Sequence, residues 1–247
     1  MGRSKPPASP GKLHRASWEG AQRYPRAMTT PRTARRVHVL TALVAAAAIV
    51  LQLVLVIDGA ATLLPEESSS LGTRLVRFFS YFTILANLLV LAVTVSLARD
   101  PDRNGRVWRV LRLDTVVCIA VTGVVHWFFL RPLLDLSGAS YVADKMLHVV
   151  VPILAVSGWL WVGPRVRASR SELLPSLVLP VVWLVLTLVG GVLTGWYPYP
   201  FLDVDDLGYA RVAVNTVGVA VLFLLIAEGA MRLERRLDRR PMTPAGG

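Results

Sequence analysis

Cysteine and charged residues are scarce in this chain. Its 247 residues include one cysteine, Cys118, which excludes an intramolecular disulfide and any metal site built from several cysteines. Only 17% of the residues are charged, against about a quarter in an ordinary soluble domain. Long apolar runs hold almost none of these charges. Because about 20 consecutive apolar residues cross the hydrocarbon of a bilayer as a helix, this distribution indicates an integral membrane protein.

The common catalytic signatures of soluble enzymes are also missing. The sequence contains no G-x-S-x-G, no H-E-x-x-H, no P-loop and no G-x-G-x-x-G. Their absence excludes the familiar hydrolase, metalloprotease, nucleotide-binding and dinucleotide-binding designs, but not catalysis by another arrangement. No metal site and no cofactor is predicted.

Six apolar runs predict an all-α bundle of six transmembrane helices. The predicted spans are 37–57, 76–98, 110–130, 142–162, 174–195 and 212–231. They form one membrane domain over residues 37–232. Residues 1–36 are rich in Arg and Pro and predict a disordered basic tail, and residues 233–247 predict a second basic tail.

The segments that connect the predicted spans are alternately rich and poor in lysine and arginine. Segments 1–36, 99–112, 163–173 and 232–247 carry 9, 5, 3 and 5 of the 27 basic residues. By the positive-inside rule, these segments and both termini are cytoplasmic, and the protein lies in the cell membrane. The net charge of +11 does not predict nucleic-acid binding, since the basic residues lie beside the apolar runs.

Several polar side chains fall inside the predicted spans, where each requires an explanation. They are Thr83 and Asn87 in the second span, Asp114, Cys118, Thr122 and His126 at four-residue steps in the third, Asp144, Lys145 and His148 in the fourth, and Asn215 and Glu228 in the sixth. Counting residues along continuous helices puts Thr83 and His148 roughly 10 Å below the outer boundary. Asp114 and Glu228 fall at the cytoplasmic edge, where arginines can pair with them.

Each of these residues also has an ordinary explanation. A threonine in a membrane helix usually bonds its own i−4 carbonyl, and a lone histidine often bonds a neighbouring helix. Gly191 and Gly195 form a GxxxG pair, which predicts a close contact between helices.

Three stretches of the sequence resemble a known family. They are Phe78 to Asn87, Leu134 to Pro152 with Asp144-Lys145-Met146-Leu147-His148 inside it, and Gly195 to Asp203 with its Tyr-Pro-Phe-Leu-Asp run. Together they resemble the six-helix "Pr-six-Pr" membrane proteins of actinobacteria. More distantly they are similar to the eukaryotic androgen-induced membrane proteins, which are threonine hydrolases of fatty acid esters of hydroxy fatty acids. The resemblance covers about residues 37–232.

This resemblance implies a fatty acyl ester as substrate, among the membrane lipids. It also implies a nucleophile at Thr83 and a partner at His148. The hydrolases have Asn and another His where this chain has Asp144 and Lys145.

The residues around this pair suggest supporting roles. Asp144 lies one turn before His148 and would orient its ring, while Asn87 would position the ester oxygen. The remaining expected supporting residues are His126, Lys145 and Asn215, and the expected substrate-lining residues are Tyr197, Tyr199 and Phe201. Pro198 and Pro200 predict that residues 196–201 form a rigid cover over the outer end of the bundle.

A second interpretation of the same polar residues stays open. Polar groups inside a membrane serve solute pathways as well as catalysis. The chain is therefore either a threonine-dependent hydrolase of lipid esters or a non-catalytic transporter or lipid-binding protein.

Overall fold

The computed structural model describes residues 30–59, 69–101, 103, 105–163 and 170–238. Regular structure in these ranges is helical throughout, without a strand. The α-helices are α1 (Pro31–Ile57), α2 (Leu71–Ser80), α3 (Phe82–Arg99), α4 (Arg106–Val125), α5 (Gly138–Lys145), α6 (Val151–Val162), α7 (Arg170–Ser176), α8 (Val178–Thr194) and α9 (Val204–Asp238). The parts of the predicted tails at 1–29 and 239–247 lie outside the described residues.

Six helical stretches in the described residues are long and apolar enough to cross a membrane. They are Pro31–Ile57, Phe82–Arg99, Arg106–Leu133, Gly138–Val162, Ser171–Thr194 and Val204–Leu237. The predicted all-α bundle of six spans is therefore confirmed, and it is the architecture of a multi-pass integral membrane protein.

The first and last spans are longer than predicted. The Thr30 side chain accepts a hydrogen bond from the Thr33 amide and caps α1, whose first residue is Pro31. Both are favoured helix starts, so α1 begins six residues before the predicted boundary. At the other end α9 continues to Asp238. Helices α1 and α9 therefore extend into the segments predicted as tails.

The bundle has a buried centre and a loosely covered side. In the apolar parts of α3 and α4, 61% of the residues are buried, against 11% in the span that ends with α8 and 17% in α9. Helix α1 packs along α3, and α4 packs against α3, α6 and α9. The apolar side chains exposed on α8 and α9 suit contact with lipid, where no water has to be excluded.

The second span is broken rather than continuous. Tyr81 is extended, with φ −69° and ψ 127°, and separates α2 from α3. The break frees backbone groups that a membrane helix must satisfy. The Trp183 Nε1–H donates to the Ser80 carbonyl at 2.8 Å, and the Thr83 N–H donates to the Tyr199 hydroxyl at 3.2 Å. The predicted unbroken helix over 76–98 is wrong, because α2 and α3 are separate helices that meet at Tyr81.

Two π-helical turns interrupt the third and fourth spans, His126–Leu130 and Met146–Val150. The second has a clear cause, because Pro152 has no N–H to donate to the carbonyl of His148, four residues earlier. A π-turn widens the helix by one residue and is frequent at functional sites. One histidine lies in each of these turns.

The GxxxG pair does not join two helices. A side chain at Gly191 would overlap the ring of Tyr197, so this glycine leaves room for an aromatic ring of the following loop. Gly195 ends α8 in the left-handed region at φ 66°, where glycine is favoured. The prediction of a helix–helix contact at these two positions is wrong.

Candidate functional site

The structure brings Thr83 and His148 together across the second and fourth spans. The Thr83 Oγ1 lies 3.2 Å from the His148 Nε2, although 65 residues separate them in the chain. Thr83 lies in the first turn of α3, directly after the break at Tyr81. The predicted juxtaposition of these two side chains is present. We call Thr83, His126, Asp144, His148 and Tyr199 the Thr83 cluster.

The partners of the His148 ring define its tautomer. The Nδ1 atom lies 3.0 Å from the backbone carbonyl oxygen of Asp144 and 3.0 Å from its Oδ1. Both are acceptors, so we assign the ring proton to Nδ1. The Nε2 atom then carries a lone pair and accepts from the Thr83 hydroxyl. This is the tautomer that a general base for Thr83 requires.

Asp144 lies at the centre of the charges in the cluster. Besides His148, its carboxylate contacts the ammonium of Lys145 at 2.8 Å and the Nε2 of His126 at 3.5 Å. The His126 ring stacks on the His148 ring with centroids 3.9 Å apart and planes 11° apart. His126 and Lys145 thus both contact the carboxylate that contacts His148, which is where the structure places these two expected supporting residues.

The same three groups offer possible metal ligands. Ligand atoms of His126, Asp144 and His148 lie within 4.8 Å of one another. However, the nearly parallel rings direct their nitrogen lone pairs side by side instead of toward one point. The carboxylate is also paired with the ammonium of Lys145. The geometry therefore favours a hydrogen-bonded network over a tetrahedral metal centre.

Two cavities meet at Thr83. One, of about 70 Å³, is lined by the polar residues of the Thr83 cluster together with apolar side chains of the first, second and fourth spans. The other, of about 160 Å³, lies between α4, α8 and α9 and has an almost wholly apolar wall. Thr83 and Tyr199 line both cavities. A molecule whose reacting atom lies at Thr83 can therefore extend into a polar space on one side and an apolar one on the other.

The loop after α8 enters the bundle instead of covering it. Pro198, Tyr199 and Leu202 are buried, and a short 3₁₀ turn spans Pro200–Leu202. Tyr199 stacks on Phe201 at 5.2 Å, and both line the apolar cavity. Tyr197 lines neither cavity at Thr83, because its ring packs on α8 at Gly191. The expected lining role therefore fits Tyr199 and Phe201 but not Tyr197.

Two predicted supporting residues have other contacts. The Asn87 Nδ2 donates to the Thr83 carbonyl at 2.8 Å and to the Leu147 carbonyl at 3.3 Å. Its two N–H groups are thereby used, so Asn87 joins α3 to the π-turn of His148 rather than facing an ester oxygen. Asn215 donates to the Phe201 carbonyl at 2.9 Å and anchors the loop after α8. Both residues position the site without reaching Thr83 Oγ1.

The polar residues at four-residue steps in the third span are all buried. Asp114, Cys118, Thr122 and His126 are each at most 5% exposed. Glu228 pairs with Arg232 at 2.8 Å, as predicted for the membrane edge. Asp114 pairs with no arginine in the described part of the chain, so that part of the prediction is wrong.

Sequence reasoning missed the contact between Tyr199 and Thr83. The Tyr199 hydroxyl lies 3.3 Å from Thr83 Oγ1, although the two residues are 116 positions apart in the chain. It also missed Trp183, which closes the broken helix through the Ser80 carbonyl. Neither contact follows from a local pattern, because each depends on the break at Tyr81.

No family model, no curated protein and no solved structure matches this chain. The geometry around Thr83 is therefore the basis on which a function can be inferred.

Proposed function

We propose that this protein is a membrane-embedded hydrolase of lipid esters that uses Thr83 as its nucleophile. The observation that carries the proposal is the hydrogen-bonded series from Thr83 Oγ1 to His148 Nε2 and from His148 Nδ1 to Asp144. A hydroxyl is a weak nucleophile until a base takes its proton, and a third group commonly orients that base. On the same ground we propose that the chain is a relative of the threonine hydrolases that it resembles.

The chemistry follows the order of these contacts. The Thr83 Oγ1 attacks the ester carbonyl carbon while its proton passes to His148 Nε2. The ester C–O bond breaks, and the leaving alkoxide takes that proton from His148. Water then attacks the acyl-threonine with His148 again as the base, which releases the fatty acid and restores the Thr83 hydroxyl.

The size and apolar lining of the second cavity favour a substrate with an acyl chain. Its volume of about 160 Å³ is close to that of an engineered cavity of roughly 150 Å³ that binds benzene. It thus accommodates roughly the first six carbons of a chain. The remaining carbons of a longer chain would continue between α8 and α9, whose exposed surfaces are apolar.

A fluorophosphonate probe tests the proposal directly. The purified protein in nanodiscs should be labelled at Thr83, with fluoride as the leaving group, and should hydrolyse fluorogenic acyl esters. Thr83→Ser should keep part of both activities because the hydroxyl survives. A wild-type protein that binds fatty acyl esters without cleaving them, and is not labelled, would instead support the lipid-binding or transport interpretation.

We further propose that both termini are cytoplasmic and that the protein lies in the cell membrane. The alternation of segments rich and poor in basic residues supports this orientation. A reporter fused after residue 247 should behave as cytoplasmic, and one inserted at Asp203 in the loop between α8 and α9 as external. A cytoplasmic signal from Asp203 would refute the orientation.

A further inference from the structure

The Tyr199 hydroxyl occupies a special position at the start of α3. It lies 3.2 Å from the Thr83 backbone nitrogen and 3.3 Å from the Thr83 Oγ1. Tyr199 itself is only 4% exposed. Its hydroxyl therefore touches the proposed nucleophile and, at the same time, the N-terminal backbone of the helix that carries it.

Counting donors determines the direction of each hydrogen bond. The Thr83 N–H can only donate, so the Tyr199 oxygen accepts from it. The Thr83 hydroxyl hydrogen is directed to His148 Nε2, which has the free lone pair. The Tyr199 hydroxyl hydrogen is then left to donate to Thr83 Oγ1. The resting site thus holds a phenol whose proton points at the nucleophilic oxygen.

The reaction would redirect this donor. When Thr83 Oγ1 bonds to the ester carbonyl carbon, the negative charge does not stay on Oγ1. It develops on the carbonyl oxygen, which is attached to the same carbon. That oxygen forms beside Oγ1, within reach of a hydroxyl already in contact with it. A fixed donor aimed at such developing charge usually makes the largest single contribution to catalysis.

We propose that Tyr199 is a further catalytic residue, whose hydroxyl donates a hydrogen bond to the oxyanion of the tetrahedral intermediate formed on Thr83. This inference rests on the proposed hydrolase function. The N-terminus of α3 assists it, because the Thr83 N–H holds the phenol oxygen and the helix dipole favours negative charge there. Burial raises the pKa of the Tyr199 phenol, so the group keeps its proton at neutral pH.

The ring of Tyr199 is held independently of its hydroxyl. It makes edge contacts with Tyr81 at 5.7 Å and Trp183 at 5.9 Å, and stacks on Phe201. Tyr199→Phe should therefore keep the packing and remove only the donor. The same loop offers a matched control in Tyr197, whose buried hydroxyl has no hydrogen-bond partner in the described part of the chain.

The experiment compares steady-state kinetics of the wild type, Tyr199→Phe and Tyr197→Phe on a fluorogenic acyl ester in nanodiscs. Tyr199→Phe should lower kcat by about 10²–10³-fold, the usual effect of losing one oxyanion donor, with KM within about threefold. Tyr197→Phe should change neither. If Tyr199→Phe keeps the wild-type kcat, or changes only KM, Tyr199 merely lines the site and the proposal is wrong.

A second variant covers the case in which Tyr199→Phe does not fold. Replacing Tyr199 by a ring-fluorinated tyrosine keeps the hydroxyl and lowers its pKa, so the alkaline limb of kcat should move to lower pH. An unmoved alkaline limb would overturn the proposal. Failure of the hydrolase function itself looks different, because then wild type and Thr83→Val would be equally inactive and unlabelled, which would overturn both.

Discussion

Buried polar groups lie at both ends of α3, but they differ in kind. At its start, the Thr83 cluster combines a hydroxyl, two imidazoles, a carboxylate and a phenol around two cavities. Near its end lies a second group, which we call the Arg112 cluster and which consists of His38, Arg109, Arg112, Trp159, Glu172 and Glu234. Its adjoining cavity is only about 40 Å³.

The contacts of the Arg112 cluster join helices. Arg109 on α4 pairs with Glu172 on α7 at 2.9 Å, and the Trp159 Nε1–H on α6 donates to Glu234 on α9 at 2.9 Å. The Arg112 guanidinium donates to the Arg103 carbonyl. These contacts are an ion pair and hydrogen bonds that connect helices, and none of them places a hydroxyl against an imidazole nitrogen, as Thr83 and His148 are placed. Burial and polarity alone therefore do not identify a reactive site.

The largest expected effect comes from removing the nucleophile. Thr83→Val keeps the shape of the side chain and removes the hydroxyl, so kcat/KM should fall by on the order of 10³-fold or more. Thr94→Val on the same helix is the matched control, since Thr94 is buried beside the Arg112 cluster and bonds its own Val90 carbonyl at 2.7 Å. It should leave kcat/KM unchanged. If kcat/KM falls equally in the two variants, the Thr83 cluster is no more important for catalysis than the Arg112 cluster.

Breaking an ion pair of the Arg112 cluster should affect stability instead. Arg109→Met removes the guanidinium that contacts the Glu172 carboxylate, which is 4% exposed, at 2.9 Å. The free energy of unfolding in mixed micelles should fall by about 3 kcal/mol, while kcat per folded molecule stays constant. The double variant with Glu172→Met should regain much of that loss, because the buried carboxylate is then removed as well. A specific loss of kcat would instead connect this cluster to the chemistry.

Asp144→Asn should have a smaller effect on kcat than the corresponding change in serine proteases. In those enzymes it selects the wrong tautomer and costs about 10⁴-fold. Here the backbone carbonyl of Asp144 also accepts from His148 Nδ1 at 3.0 Å and preserves the tautomer. We expect a loss of about 10²-fold or less, measured as kcat against pH. Asp114→Asn, a buried carboxylate outside the Thr83 cluster, should leave kcat per folded molecule unchanged.

The sequence predicted the spans well because their signal is local. The length of an apolar run and the position of the charges beside it are properties of each segment by itself. These two signals located all six helical spans, and most of the span ends were predicted to within a few residues. The pairing of Thr83 with His148 was also predicted, through resemblance and through similar positions along neighbouring spans.

The break at Tyr81 could not be predicted in this way. No glycine or proline lies between Thr73 and Arg99, so local propensity favours a continuous helix. The break is stabilised by Trp183 and Tyr199, which belong to distant parts of the chain. The contact of Tyr199 with Thr83, and the packing of Tyr197 on Gly191, depend on the same tertiary arrangement.

The smallest predicted effect tests how far the Thr83 cluster depends on that loop. At Gly191 even a methyl group meets the ring of Tyr197, which is buried and two residues from Tyr199. Gly191→Ala should therefore lower the free energy of unfolding by about 1–3 kcal/mol through overpacking. Because the displaced loop carries Tyr199, kcat should also fall, but less than in Tyr199→Phe.

The neighbouring glycine provides the control for this change. A side chain at Gly190 would meet nothing within 4 Å, so Gly190→Ala adds the same methyl group to open space. It should be neutral or stabilise the helix by up to about 1 kcal/mol. The measurement is unfolding in mixed micelles together with kcat for both variants. If Gly191→Ala loses stability but keeps the full wild-type kcat, the Thr83 cluster holds its geometry without the support of Tyr197, and α3 with its neighbouring spans suffices to position it.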